Sequence, residues 1–185
     1  MYNGKTVEVK NTDAEGRLIL ADALTYAQEK GATRLIDLAT LTGACVTALG
    51  TVRTGMIGND QEWMNHFFQA ATEVHEKIWQ LPADEEYEKL LESDVADLKN
   101  VGGPEAGAIT AGLFLKQFVH DGTPWIHLDI AGPAFNEKAD ETGLIGATGV
   151  GIKSVGTDEE DHAGTYEQLC EHATLAIRSF DELLG

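Results

Sequence analysis

The chain has 185 residues, enough for one domain with a sizeable core. Its 31 acidic and 13 basic residues leave a formal charge of −18, a surface that repels nucleic-acid phosphates and anionic membranes. No apolar stretch reaches the length of a membrane span, the N-terminus lacks a signal peptide's basic and apolar regions, and Cys45 and Cys170 read as reduced thiols.

Residues 3–10 alternate and are rich in β-formers, so they read as a strand entered by an Asn3-Gly4 turn. Residues 17–30 read as a helix with Leu18, Leu20, Ala21, Leu24 and Ala27 on its apolar face, stopped by Gly31. The apolar run 34–41 suits a buried parallel strand, and Asp37 within it needs hydrogen-bond partners. A segment of small residues follows to Gly50 and leaves room for a ligand or a close backbone approach.

Residues 52–58 read as a strand weakened by glycines, and Asn59-Asp60 as the cap of a helix over 61–76. Residues 84–92 are acidic and helix-prone, 94–105 read as a loop, 106–120 as an apolar helix and 125–131 as a central strand. His127 and Asp129 on that strand read as satisfied core groups. Residues 157–161 look like an acidic linker, and 165–184 like an amphipathic helix with Leu169, Ala173, Ile177, Phe180 and Leu184 on one stripe.

The glycine-rich run 143–151 lacks the Lys-Ser/Thr ending of a phosphate loop. His66 and His75 lack the spacing of a helical metal pair, and no His-Glu-x-x-His motif occurs anywhere. Strand-like runs alternating with helices predict a three-layer α/β/α sandwich with a mainly parallel sheet. The runs 34–41 and 125–131 are expected as adjacent or near-adjacent strands in its interior.

The chemistry concentrates in Asn11-Thr12-Asp13-Ala14-Glu15-Gly16-Arg17-Leu18. If the segment is extended, Asp13, Glu15 and Arg17 point to one side. Two carboxylates at that spacing suit Zn²⁺, Mn²⁺ or Mg²⁺, and the guanidinium suits an anion. A polar strand-to-helix turn with acidic helix-start residues is the alternative reading.

The octapeptide and its continuation Ile19-Leu20-Ala21-Asp22-Ala23-Leu24 resemble the signature of the leucyl aminopeptidases, two-metal exopeptidases of family M17. So do Asp37-Leu38-Ala39-Thr40-Leu41-Thr42-Gly43-Ala44, Gly107-Ala108-Ile109-Thr110-Ala111, His127-Leu128-Asp129-Ile130-Ala131-Gly132 and Gly146-Ala147-Thr148-Gly149. The resemblance covers about residues 1–153 and places them in the C-terminal part of the catalytic domain. Residues 154–185 are then an acidic linker and a helix beyond it.

The resemblance implies that Asp13 binds one metal of a Zn or Mn pair, that Glu15 bridges both, and that Arg17 holds a bicarbonate-like anion. It implies that Thr40, Leu41, Gly43 and Ala131 line the pocket for the peptide's N-terminal residue. A peptide substrate, homo-oligomers of hexameric type and a cytoplasmic location follow from it, with no nucleic-acid or membrane partner. The family carries a lysine, two aspartates and a catalytic lysine upstream. Lys5 and Lys10 have no Lys-x4-Asp or Asp-Ser-Gly-Gly text beside them. The 185-residue chain is therefore expected to be nearly inactive by itself. The alternative is a non-catalytic module that keeps the fold and acts only in assembly.

Overall fold

A computed structural model describes residues 1–139 and 145–162. Its strands are β1 (Val7–Glu8), β2 (Leu35–Ala39), β3 (Thr54–Gly58), β4 (Ile78–Gln80), β5 (Leu98–Lys99), β6 (Trp125–Asp129), β7 (Phe135–Asn136) and β8 (Gly146–Ala147). The helices are α1 (Gly16–Glu29), α2 (Gly43–Leu49), α3 (Gln61–Glu73), α4 (Glu85–Glu88), α5 (Gly107–Lys116) and α6 (Ile152–His162). The expected amphipathic helix at 165–184 lies outside the described residues.

The main sheet has the order β2-β6-β3-β4. β2 runs parallel to β6 and β3 parallel to β4, while β6 and β3 meet antiparallel. Short parallel β1-β5 and antiparallel β7-β8 pairs stand apart from it. The runs around 34–41 and 125–131 are adjacent, as expected. Of these two strands only β6 is interior, however, because among the described residues β2 pairs on one side alone and forms an edge of the sheet.

Side chains of a strand alternate between faces, so the two faces have separate cores. On one, Leu35, Ile57 and Trp125 pack with Ala21 and Leu24 of α1 and Leu113, Phe114 and Leu115 of α5. On the other, Met56, Ile126 and Leu128 pack with Trp63, Met64, Phe67 and Ala71 of α3 and with Val155 of α6. The result is a three-layer α/β/α arrangement.

Local chemistry sets the ends of the helices. Gly31 at φ +97° closes α1, a conformation that costs glycine little. Asp60 caps α3 by accepting from the Trp63 N–H at 3.0 Å. Thr42 does the same for α2 from the Cys45 N–H at 3.0 Å, giving a helix in the run of small residues.

The stretch 157–161 belongs to α6 and is not a linker. The Glu76 carboxylate accepts from the Gly151 and Ser154 N–H groups and the Ser154 hydroxyl, which fixes the start of that helix. Asp158 accepts from the Trp63 indole at 2.9 Å and ties α6 to α3. The glycines of β3 aid its packing: a Cβ on Gly58 would stand 2.6 Å from the Trp125 carbonyl oxygen.

Candidate active site

The segment around Asp13 is a turn leading into a helix, which corrects the extended geometry expected from the spacing. The Asp13 N–H donates to the Asn11 side chain at 2.9 Å, and Glu15 has helical dihedrals of −78° and −35° as the residue before α1. The period-two argument therefore does not apply. Asp13 and Glu15 are exposed, whereas Arg17 is buried.

Asn100 holds this turn. It is fully buried, and its side chain accepts from the Lys10 N–H at 2.9 Å and donates to the Asn11 carbonyl at 2.7 Å. Its carbonyl accepts from an Arg17 terminal nitrogen at 2.8 Å. Arg17 Nε is buried without a partner among the described residues. Burial lowers the pKa of the guanidinium, and the charge of Asp129 opposes that shift. Asn100 was legible in the sequence only as part of a Gly/Pro loop, so its clamping role was missed.

Asp129, at the C-terminal end of β6, organises the opposite wall. One carboxylate oxygen accepts from the N–H groups of Leu41, Thr42 and Ala131 at 3.2, 3.4 and 3.2 Å. The other accepts from the Thr42 hydroxyl at 2.6 Å. A single buried acid thus joins the loop after β2 to the loop after β6. Thr40 and Gly43 are exposed beside Leu41, and Ala131 is half-buried. A Cβ on Gly16 would meet Leu41 at 3.5 Å, which places the start of α1 against the same loop.

Next to Asp129 lies a second buried polar group. Asp37 accepts from the Trp125 indole at 2.7 Å and sits 2.6 Å from His127 Nδ1. Burial pulls the His127 pKa down, but the charge and hydrogen bond of Asp37, with help from Asp129, outweigh it and leave the pKa raised. Arg17 opposes this from its own side. Cys45 is no nucleophile: burial and the charge of Asp129 push its thiol up to about 11.

The donor set does not fit a complete pair of ions. Asp13 and Glu15 are two carboxylates. Among the described residues no group of three His, Cys, Asp or Glu side chains is placed to hold a metal. Two divalent ions need more ligands than that.

A model of the cytosol aminopeptidase family's catalytic domain matches residues 1–155. The probable cytosol aminopeptidase of Alkaliphilus oremlandii is 54% identical over 153 residues, covering 83% of this chain and 30% of that protein. Its counterpart in Acidobacterium capsulatum is 55% identical over 152 residues, covering 82% and 30%. A solved mutant of tomato leucine aminopeptidase superposes with a TM-score of 0.78 at 47% identity, covering 84% of this chain and 30% of that one. The chain therefore spans about 30% of the length of these relatives. It belongs to the cytosol aminopeptidase family, and residues 1–155 correspond to part of that family's catalytic domain.

Proposed function

We propose that this chain supplies the signature portion of a metal-dependent aminopeptidase active site. Asp13 and Glu15 offer exposed carboxylates to Zn²⁺ or Mn²⁺. Arg17 offers an Nε that has no partner among the described residues to a bicarbonate-like anion. Thr40, Leu41, Gly43 and Ala131 form the rim that receives the N-terminal residue of a peptide, a leucine-like one by preference. The observation that carries this reading is the Asp129 carboxylate. It binds the Leu41-Thr42 and Ala131 backbones together beside the start of α1.

The incomplete donor set favours a second statement: the 185-residue chain does not hydrolyse peptides by itself and acts as a module that needs further ligands. Homo-oligomers of hexameric type and a cytoplasmic location belong to the same reading. The name of the relatives supports the location, and no described helix is long and apolar enough to cross a membrane. Residues 1–153 form the catalytic unit in this reading, with 154–185 added to it.

The test is hydrolysis of a leucine anilide by the purified chain in Zn²⁺ or Mn²⁺. The expected result is no turnover above the metal blank. Metal-dependent turnover abolished by Glu15→Ala would show that the residues present complete the site. Light scattering checks self-association, and a monomer at every concentration would remove the oligomer from the reading.

A further inference from the structure

α6 has one packed face and one open face. Ser154 and Asp158 are buried, and Val155 packs with the core under α3. Gly151 and Ser154 bond to Glu76 just past the end of α3, while Asp158 bonds to Trp63 near its start. α6 therefore runs antiparallel to α3 and is fixed at both ends. Helix residues four apart share a side. Ile152 and Gly156 stand on the side turned away from that core, and Ile152 is 72% exposed.

The two glycines here differ. Gly151 has φ +91°, and a Cβ on it would overlap Leu38. Gly156 lies inside the helix, and a Cβ on it would meet nothing within 4 Å among the described residues. Glycine inside a helix weakens it relative to alanine, and no described contact requires this one. On a helix surface it lets a second backbone come close. One turn away, the exposed isoleucine gains from being covered.

The sequence after α6 fits that face. Gly164 stands two positions past His162, the last residue of α6, where a glycine closes a helix. Thr165-Tyr166-Glu167-Gln168 then has the capping-box pattern of a new helix start. The stripe Leu169, Ala173, Ile177, Phe180 and Leu184 follows. Helices joined by so short a connector lie antiparallel, side by side. Counting away from the Gly164-Thr165 junction in both directions sets Ala173 opposite Gly156 and Ile177 opposite Ile152.

We propose that residues 165–184 fold back as a helix antiparallel to α6 and cover its open face, with Ala173 on Gly156 and Ile177 against Ile152. The family model ends at residue 155, so Gly156 and the covering segment lie outside the matched region. The short connector gives the segment a high effective concentration at its own α6. The charge of −18 opposes the same contact between two copies. α6, with 11 residues, is about 16 Å long, and a helix over 165–184 is about 30 Å. Phe180 and Leu184 therefore run past the start of α6.

The test uses the full chain in a Cys170→Ser background, which leaves the buried Cys45 as its own thiol. Ile152→Cys with Ile177→Cys should close a disulfide under mild oxidation, read by mass spectrometry of the monomer. Ile152→Cys with Ser179→Cys, on the other side of the covering helix, should close at least about tenfold more slowly. Hydrogen exchange is the second arm. Amides over 169–184 should be protected, and Gly156→Leu should speed their exchange at least about tenfold by filling the space Ala173 needs. Leucine is a strong helix former with open room at that position, so α6 keeps its fold, which unchanged exchange at Val155 and Asp158 checks.

Free exchange throughout 165–184, protection indifferent to Gly156→Leu, or equal closure of the two cysteine pairs overturns the proposal. A disulfide between two chains, seen as a covalent dimer, assigns the face to a second copy and overturns it too. Neither arm depends on peptide hydrolysis, so failure of the contact and failure of the aminopeptidase reading are told apart.

Discussion

Two pairs of carboxylates in this chain live in opposite surroundings. Asp37 and Asp129 are 8% and 2% exposed, and each is surrounded by donors from the chain itself. Asp13 and Glu15 stand in solvent at the head of α1. A buried carboxylate persists only when its lone pairs are satisfied, so the first pair is committed to the fold. The second pair leaves its carboxylates to solvent. Burial separates the acids committed to the fold from the two proposed to bind metal, although all four belong to family-like motifs.

The sharpest break of this contrast is Asp129→Ala. It leaves the N–H groups of Leu41, Thr42 and Ala131 and the Thr42 hydroxyl without their acceptor. Removing one member of a buried charged network costs about 3–5 kcal/mol. Urea unfolding should show a loss of that size, and amide exchange at Leu41 and Ala131 should quicken. A loss under about 1 kcal/mol would mean that Asp129 does not hold the two loops.

Asn100→Ala comes next. It removes the side chain that bonds the backbone at Lys10 and Asn11 and shares the Ala14 carbonyl. The expected cost is about 2–3 kcal/mol in the same measurement, from buried backbone groups left unpaired. Faster exchange at the Lys10 amide should accompany it.

The third break uses pH. His127 has its folded-state pKa raised above 6.5 by Asp37 against the pull of burial. A raised value contributes stability that is full below about 6.5 and is lost as pH climbs through the folded value. In Asp37→Asn burial dominates, the pKa falls below its ordinary value, and the sign reverses. The stability difference between parent and variant should be largest below about pH 6.5 and should shrink as pH rises through the folded value of His127. A difference independent of pH would mean that His127 stays neutral beside Asp37.

Much of this was readable in advance, and the misses share a cause. The bounds of α1, the cap at Asp60, the pairing of β2 with β6 and the hydrogen-bonded role of Asp37 follow from local pattern and from the cost of burying polar groups. The edge position of β2 did not, because its apolar run reports cover on both faces and not the number of paired neighbours. The chemistry expected of Asp13, Glu15 and Arg17 stays a proposal, and their expected geometry was wrong, since spacing decides direction only once the backbone is known. α2 was hidden in a stretch of small residues, where Thr42 as a cap was the available signal. Asn100 acts through contacts about 90 positions away in sequence, which no local pattern encodes.

The smallest expected effect carries the most about function. Asp13→Ala and Glu15→Gln should each change the unfolding free energy by under about 0.5 kcal/mol, as exposed substitutions away from packed features do. Glu15 precedes the first turn of α1, where a negative charge favours the helix dipole, so Glu15→Gln should fall toward the upper end of that range. The same two variants should abolish any leucine-anilide hydrolysis that appears when the missing donors are supplied. Stability near the parent with activity lost would place these acids outside the fold and inside the chemistry. A loss of about 2 kcal/mol or more from either would make the acid a structural helix-start residue and withdraw its proposed metal role.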